Sequence, residues 1–185
     1  MSFLPRIRAL NLPAYGDQEV EFFGSVLERF RPTHVFEWGT NVGASARLFY
    51  EAALEFGYEC EVHTVELPDS LSHLDRDHPG HRHGQWIEGL SIHAHRGLGL
   101  TLSMQLWVDL RPDRALFFLD GNHTYAVVLE ELQSLSNLRP QPVVMIHDTN
   151  RLTGEAVSRF HRRNPEFIRE DCTFDSGLAA LWPSA

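Results

Sequence analysis

Along the chain, stretches with apolar residues three and four apart alternate with short, nearly continuous apolar runs. In DQEVEFFGSVLERF, Val20, Phe23, Val26, Leu27 and Phe30 fall on one helical face, and Asp17 stands where it can cap the start. THVFEWG reads as a strand ending at Glu37. ASARLFYEAALEFG reads as a helix with Leu48, Phe49, Ala52, Ala53 and Phe56 inward and Gly57 as its stop. CEVHTVEL and SIHAHRG are the next two strands, LTLSMQLWVDL a helix, and RALFFLDG a fourth strand. TYAVVLEELQSLSNL places Tyr125, Val128, Leu129, Leu132 and Leu135 at helical spacing. PVVMIHDT is a fifth strand, GEAVSRFHRR a helix, and FIREDCTFDSGLAALW two strands joined at Asp175 to Gly177.

Strand and helix in regular alternation predict an α/β fold with three layers, a doubly wound and mostly parallel sheet between crossover helices. The runs ALFFL and VVMI suit strands covered on both faces. The closing pair predicts an antiparallel C-terminal strand. The whole, residues 1–185, reads as one domain, with residues 1–32 an N-terminal helical segment. Residues 67–89 break the pattern: they are polar, histidine-rich and interrupted by Pro79 and Gly80, as expected of a surface loop or lid with Trp86 and Ile87 as apolar wall. Its His73, His78, His81 and His83, with Asp75 and Asp77, match no closed zinc spacing.

Composition narrows the function classes. At 43% hydrophobic residues the chain is an ordinary globular one, and a net charge of -9 excludes a general nucleic-acid binder. No apolar run is long enough to cross a membrane or to serve as a signal peptide, and Cys60 and Cys172 form no CxxC, so a cytoplasmic protein is expected. All 16 basic residues are arginine, which removes Schiff-base lysines, a phosphate-loop lysine and a lysine general base. A leftover apolar helix face would support a homodimer, but no such face is identifiable.

In an open α/β sheet the ligand crevice lies at the carboxyl ends of the strands. Those ends here are Glu37 to Gly43, Glu66, Gly97 to Gly99, Asp120 to His123, and His147 to Thr149. Gly39 permits a tight turn, and Gly43 opens a helix whose free N–H groups favour an anionic group. Glu37 can receive an ammonium, and Glu66 can accept two ribose hydroxyls. Asn41 replaces the second glycine of a GxGxxG fingerprint, which weakens an NAD-linked reading.

The segments VFEWGTNVGAS, VHTVEL, AHRG, LFFLDGNHTY and VVMIHDT occur in the order found in class I S-adenosylmethionine (SAM)-dependent methyltransferases. The chain resembles that family over residues 33–182, closest to the small-molecule O-methyltransferase branch with an Asp-Gly-x-His-x-Tyr signature. The resemblance implies the Rossmann-like methyltransferase fold, SAM as cofactor and a small-molecule acceptor. It implies that Glu37, Gly39, Thr40, Asn41 and Gly43 surround the methionine moiety and that Glu66 holds the ribose. Gly97, Leu98 and Asp120 complete the cofactor set. Leu98 stands where many relatives carry an aspartate, leaving the adenine to apolar contacts and backbone.

Methyl transfer requires a positioned nucleophile and an acceptor for its proton. In the similar catechol-type enzymes two strand-end carboxylates and an asparagine hold Mg²⁺. Asp120 and Asp148 are the matching carboxylates, whereas Thr149 replaces the asparagine and His123 replaces a catalytic lysine. With an unperturbed pKa of about 6.5, His123 is the candidate base, and Asp120 its catalytic companion. Other readings stay open: Asp120 can accept N–H bonds from the turn that follows it, and His147, pointed away from Asp148 by strand alternation, reads as structural. A non-catalytic adenosine-ligand binder or scaffold of the same fold is the alternative from a different class.

Overall fold

The computed structural model describes residues 3–12, 15–68, 70–71 and 82–184. Helices α1 (Phe3–Leu10) and α2 (Asp17–Phe30) precede strand β1 (His34–Trp38) and helix α3 (Ala44–Phe56). Strands β2 (Glu61–Glu66) and β3 (Ile92–Arg96) come next, followed by α4 (Gly99–Leu110), β4 (Ala115–Leu119) and α5 (Tyr125–Ser136). Strand β5 (Val143–His147), α6 (Leu152–Arg163), β6 (Phe167–Cys172) and β7 (Leu178–Pro183) complete the order.

The seven strands form one sheet in the order β3-β2-β1-β4-β5-β7-β6. The first five pair in parallel, and β7 lies antiparallel between β5 and β6. Alternation splits β4 between two cores. Leu116 and Phe118 pack with Phe23, Leu48 and Phe49 from the α1–α3 layer, whereas Phe117 and Leu119 meet Val128, Leu132, Val157 and Phe160 from α5 and α6. This is the three-layer architecture expected of continuous apolar strands, and its pattern is that of the Rossmann-like methyltransferase fold.

Three local expectations change. Helix α1 was not evident as a separate element; Phe3 and Ile7 bury it against the core. Asp17 does not cap α2: Gly16 is the N-cap, Glu19 reaches back to the Gly16 N–H at 3.4 Å, and Asp17 pairs with Arg8. Residues 69 and 72–81, including His73, His78 and His81, lie outside the described part of the 67–89 segment. Its end is not an acceptor wall at Ile87, which is buried in the α1–α3 core against the Cβ-free face of Gly43. The Gly84 N–H to Asn41 and Trp86 N–H to Val42 bonds, 2.9 and 3.0 Å, fasten this turn to the β1–α3 loop. Among the described residues no helix is long and apolar enough to cross a membrane.

Candidate functional site

Because β1 lies between β2 and β4, crossovers leave it in opposite directions and a crevice opens at their carboxyl ends. A cavity of about 470 Å³ occupies this place. Gly39, Glu66, Gly97 and Leu98, all expected cofactor residues, line it, together with Trp38, Leu71, Asn122, Val127 and Glu131. Its size is that of an ordinary small-molecule site.

Glu66 is 2% exposed and held rigidly: its carboxylate accepts the Asn41 N–H at 2.8 Å and the Leu67 N–H at 3.0 Å. Asn41 reaches this bond from the left-handed region, φ 47°, and Gly39 turns at φ 104°. Thr40 is buried, its hydroxyl 2.7 Å from that of Thr64. Leu98 is 56% exposed and offers the cavity an apolar rim in place of a carboxylate.

Glu37, on β1 next to the cavity-lining Trp38, is fully buried, and no well-formed hydrogen bond reaches either carboxylate oxygen. Burial pushes its pKa up to about 8, the charges of Asp120 and Glu66 add to the rise, and nearby Ser45 and Thr64 oppose it. An apolar side chain would fill this place at no desolvation cost. A buried acidic group with neither oxygen in a well-formed hydrogen bond therefore suits a cationic ligand group, whose charge would favour loss of its proton.

Trp38 was not anticipated. Its indole fits between two glycines: a Cβ on Gly99 would lie 2.4 Å from the Trp38 Cβ, and one on Gly121 would lie 3.0 Å from Cδ1. Gly99→Ala is expected to cost about 1–3 kcal/mol by overpacking, and Gly121→Ala less. Urea midpoints at unchanged m-value check this; equal midpoints for native protein and both variants would remove the packing role. Beside the indole, Glu131 is 6% exposed, with one carboxylate oxygen lacking a partner, and burial pushes its pKa up to about 8. A Glu-Glu pair on a helix ordinarily reads as a solvated face, so its inward turn has no local signature.

Beside the cavity, Asp120, His123 and Asp148 converge. His123 Nε2 is 3.4 Å from an Asp120 oxygen and 3.2 Å from an Asp148 oxygen. In the turn that follows, Asn122 accepts the Thr124 N–H at 2.9 Å. His147 belongs here as well, which corrects its reading as a residue pointed away from Asp148. Its Nδ1 is 3.1 Å from Asp120 and 3.8 Å from Asp148. Alternation fails because Asp148 has φ 57°, and a left-handed residue swings its side chain back to the same side.

The N-terminal segment closes the far side. Glu19, 1% exposed, places an oxygen 3.7 Å from His147 Nε2 and accepts the Ser176 N–H at 3.2 Å, while Tyr15 meets the His147 ring edge-on at 5.3 Å. Burial disfavours a charged His147, but the hydrogen bond to Asp120 and the nearby carboxylates of Glu19, Asp120 and Asp148 prevail. They carry its pKa up to about 10. His147 is thus an imidazolium among three carboxylates at neutral pH. Glu19 and Tyr15 reach the site only through tertiary packing, for which the chain carries no local signal.

No protein-family model matches the chain, and no curated protein matches it. Solved structures do. An O-methyltransferase from Bacillus cereus in complex with SAH superposes with a TM-score of 0.59 at 17% identity, covering 98% of this chain and 91% of that one. The O-methyltransferase TomG from Streptomyces achromogenes, in complex with SAM and involved in tomaymycin synthesis, gives 0.62 at 16%, covering 100% and 91%. A methyltransferase from Geobacter sulfurreducens gives 0.64 at 16%, covering 99% and 86%. Across the described residues, then, this chain has the Rossmann-like fold of class I methyltransferases.

Proposed function

We propose that the protein is a SAM-dependent methyltransferase acting on a hydroxyl oxygen of a small molecule. The observation that carries this reading is the cavity at the β1 switch point, bordered by Gly39 and Glu66 and adjoining the Asp120–His123–Asp148 cluster. When bound, SAM supplies a methyl group on a sulfonium whose leaving group is a neutral thioether. Glu37 fits the methionine ammonium, Glu66 the ribose hydroxyls, and Trp38, Leu71 and Leu98 the adenine faces. The solved neighbours that hold SAM or SAH on this fold support the cofactor.

His123 takes the acceptor proton as the new oxygen–carbon bond forms and the carbon–sulfur bond breaks. Asp120 and Asp148, both within 3.4 Å of its Nε2, stabilise the imidazolium that results. Magnesium assistance is the second reading, with Asp120 and Asp148 as the residues that would hold the ion. The donor set fits it poorly. Mg²⁺ asks for oxygen ligands in octahedral geometry, whereas each carboxylate here contacts imidazoles. Asn150, two residues after Asp148, donates to the Asp175 carbonyl at 2.9 Å.

Calorimetric titration with SAH tests the cofactor, with NAD⁺ as the comparison ligand. Native protein is expected to bind SAH, and Glu66→Ala to weaken binding by about ten- to a hundredfold through loss of charge-assisted hydrogen bonds. Folded protein that ignores SAH sinks the proposal. Turnover with a panel of hydroxylated acceptors, with and without EDTA, then separates an enzyme from a binder and a metal-free from a metal-dependent reaction.

A further inference from the structure

At the opposite, amino ends of the strands, the sheet gathers a second group of histidines. Register places His34 of β1 beside Glu61 of β2, and His63 of β2 beside His93 of β3. Strand alternation puts all four side chains on the same face as Phe36, with the His63 ring stacked between those of His93 at 4.7 Å and Phe36 at 5.5 Å. One Glu61 carboxylate oxygen is the common focus. His63 Nε2 lies 3.6 Å from it, and the Nε2 atoms of His34 and His93 each lie 4.0 Å from it.

These distances are too long for good hydrogen bonds but close to the spacing of donors around one metal ion. A zinc ion with bonds of about 2.0–2.1 Å holds its tetrahedral ligands roughly 3.3–3.4 Å apart. Donor atoms of Glu61, His63 and His93 already lie within 4.8 Å of one another. The state of His63 is an independent sign. This imidazole is 4% exposed, and its Nε2 has no hydrogen-bond partner. Its other nitrogen, Nδ1, is 3.1 Å from His95 Nε2, the kind of outer contact that fixes the orientation of a ligating histidine. A buried nitrogen left without a partner, facing a carboxylate, is costly until a cation stands between them.

We propose that Glu61, His63 and His93, with water in the fourth position, form a binding site for a divalent first-row transition cation such as Zn²⁺. Two imidazoles and one carboxylate are a donor set for such borderline ions, unlike the all-oxygen ligands that Mg²⁺ requires. The ion would staple the edge strand β3 to β2. It would bind whether or not the crevice catalyses methyl transfer, because the two groups occupy opposite ends of the sheet.

The test is a Zn²⁺ titration of the metal-stripped full chain, followed by calorimetry and thermal unfolding, with Co²⁺ absorption reporting the coordination. Native protein is expected to take up the ion with a Tm rise of roughly 5–10 °C at a hundredfold excess over Kd. His93→Ala and Glu61→Ala remove half-exposed side chains, so both variants should fold. Each should weaken zinc affinity tenfold or more and reduce the cobalt absorption, while Asp148→Asn leaves both intact. Absence of zinc binding at micromolar concentration overturns the proposal. So does affinity undiminished in either His93→Ala or Glu61→Ala, which would assign the ion to other histidines.

Discussion

Asp120→Asn is expected to lower the kcat of methyl transfer by about a thousandfold, within the 10²–10⁴ range of general acid–base contributions. One Asp120 oxygen lies 3.4 Å from His123 Nε2 and 3.1 Å from His147 Nδ1, so a single atom serves both imidazoles. Asparagine keeps the shape but withdraws the negative charge, and its NH₂ group cannot accept a proton-bearing nitrogen. His123 then gains a proton with one neighbouring carboxylate instead of two. A merely structural Asp120 would change the folded fraction but not the turnover of the folded molecules. Single-turnover rates, normalised to active sites by SAH titration, separate the two cases. If the asparagine variant keeps its rate to within about threefold, His123 is not the base in the manner described.

The second large effect concerns pH and stability. His147 has a folded pKa of about 10 against an ordinary value of 6.5. Its contribution to stability is therefore present in full below about pH 6.5, declines above it, and is lost as pH rises through about 10. At 1.36 kcal/mol per unit the shift corresponds to roughly 3–5 kcal/mol, a large part of the stability of an ordinary domain. Glu37 and Glu131 act in the same direction over a lower window. Each keeps its proton up to about pH 8 in the folded protein, so unfolding releases protons between the usual carboxylate range and pH 8. Urea unfolding between pH 6 and 10 should show stability falling steeply for native protein. In His147→Gln the alkaline part of the slope should flatten, leaving the decline due to the two glutamic acids. Parallel curves for the two proteins would show that His147 carries no extra proton in the fold.

Much of this architecture could be read along the chain because apolar period is a local property. ALFFL and VVMI announce strands covered on both faces, and Gly57 ends α3 in the left-handed conformation, φ 65°, that glycine tolerates. The strand endings Gly39, Glu66 and Gly97 line one cavity. What could not be read depends on neighbours distant in sequence. Glu19 looks like one of several acids on α2, yet β5 and the loop before β7 enclose it. Alternation assigned His147 and Asp148 to opposite faces, and one positive φ at Asp148 reversed the outcome. Among the histidines, the polar 73–83 stretch drew notice by density. His34, His63 and His93 are spread over three strands and meet only because β1, β2 and β3 are adjacent.

The placement of β7 has a consequence for the order in which the polypeptide can assemble. Strand β6 is synthesised before β7, yet its partner in the sheet is β7 and not β5. Until residues 178–183 arrive, β6 lacks its partner in the sheet, and β5 presents a bare edge along Val144, Met145 and Ile146. Such an edge is a template for pairing with another chain. The nascent protein must therefore hold a sticky, half-built sheet while α6 and β6 emerge, and only the insertion of Leu178 to Leu181 seals it. A chaperone that shields exposed strands would act in this interval, and a truncation before Leu178 would prolong it indefinitely.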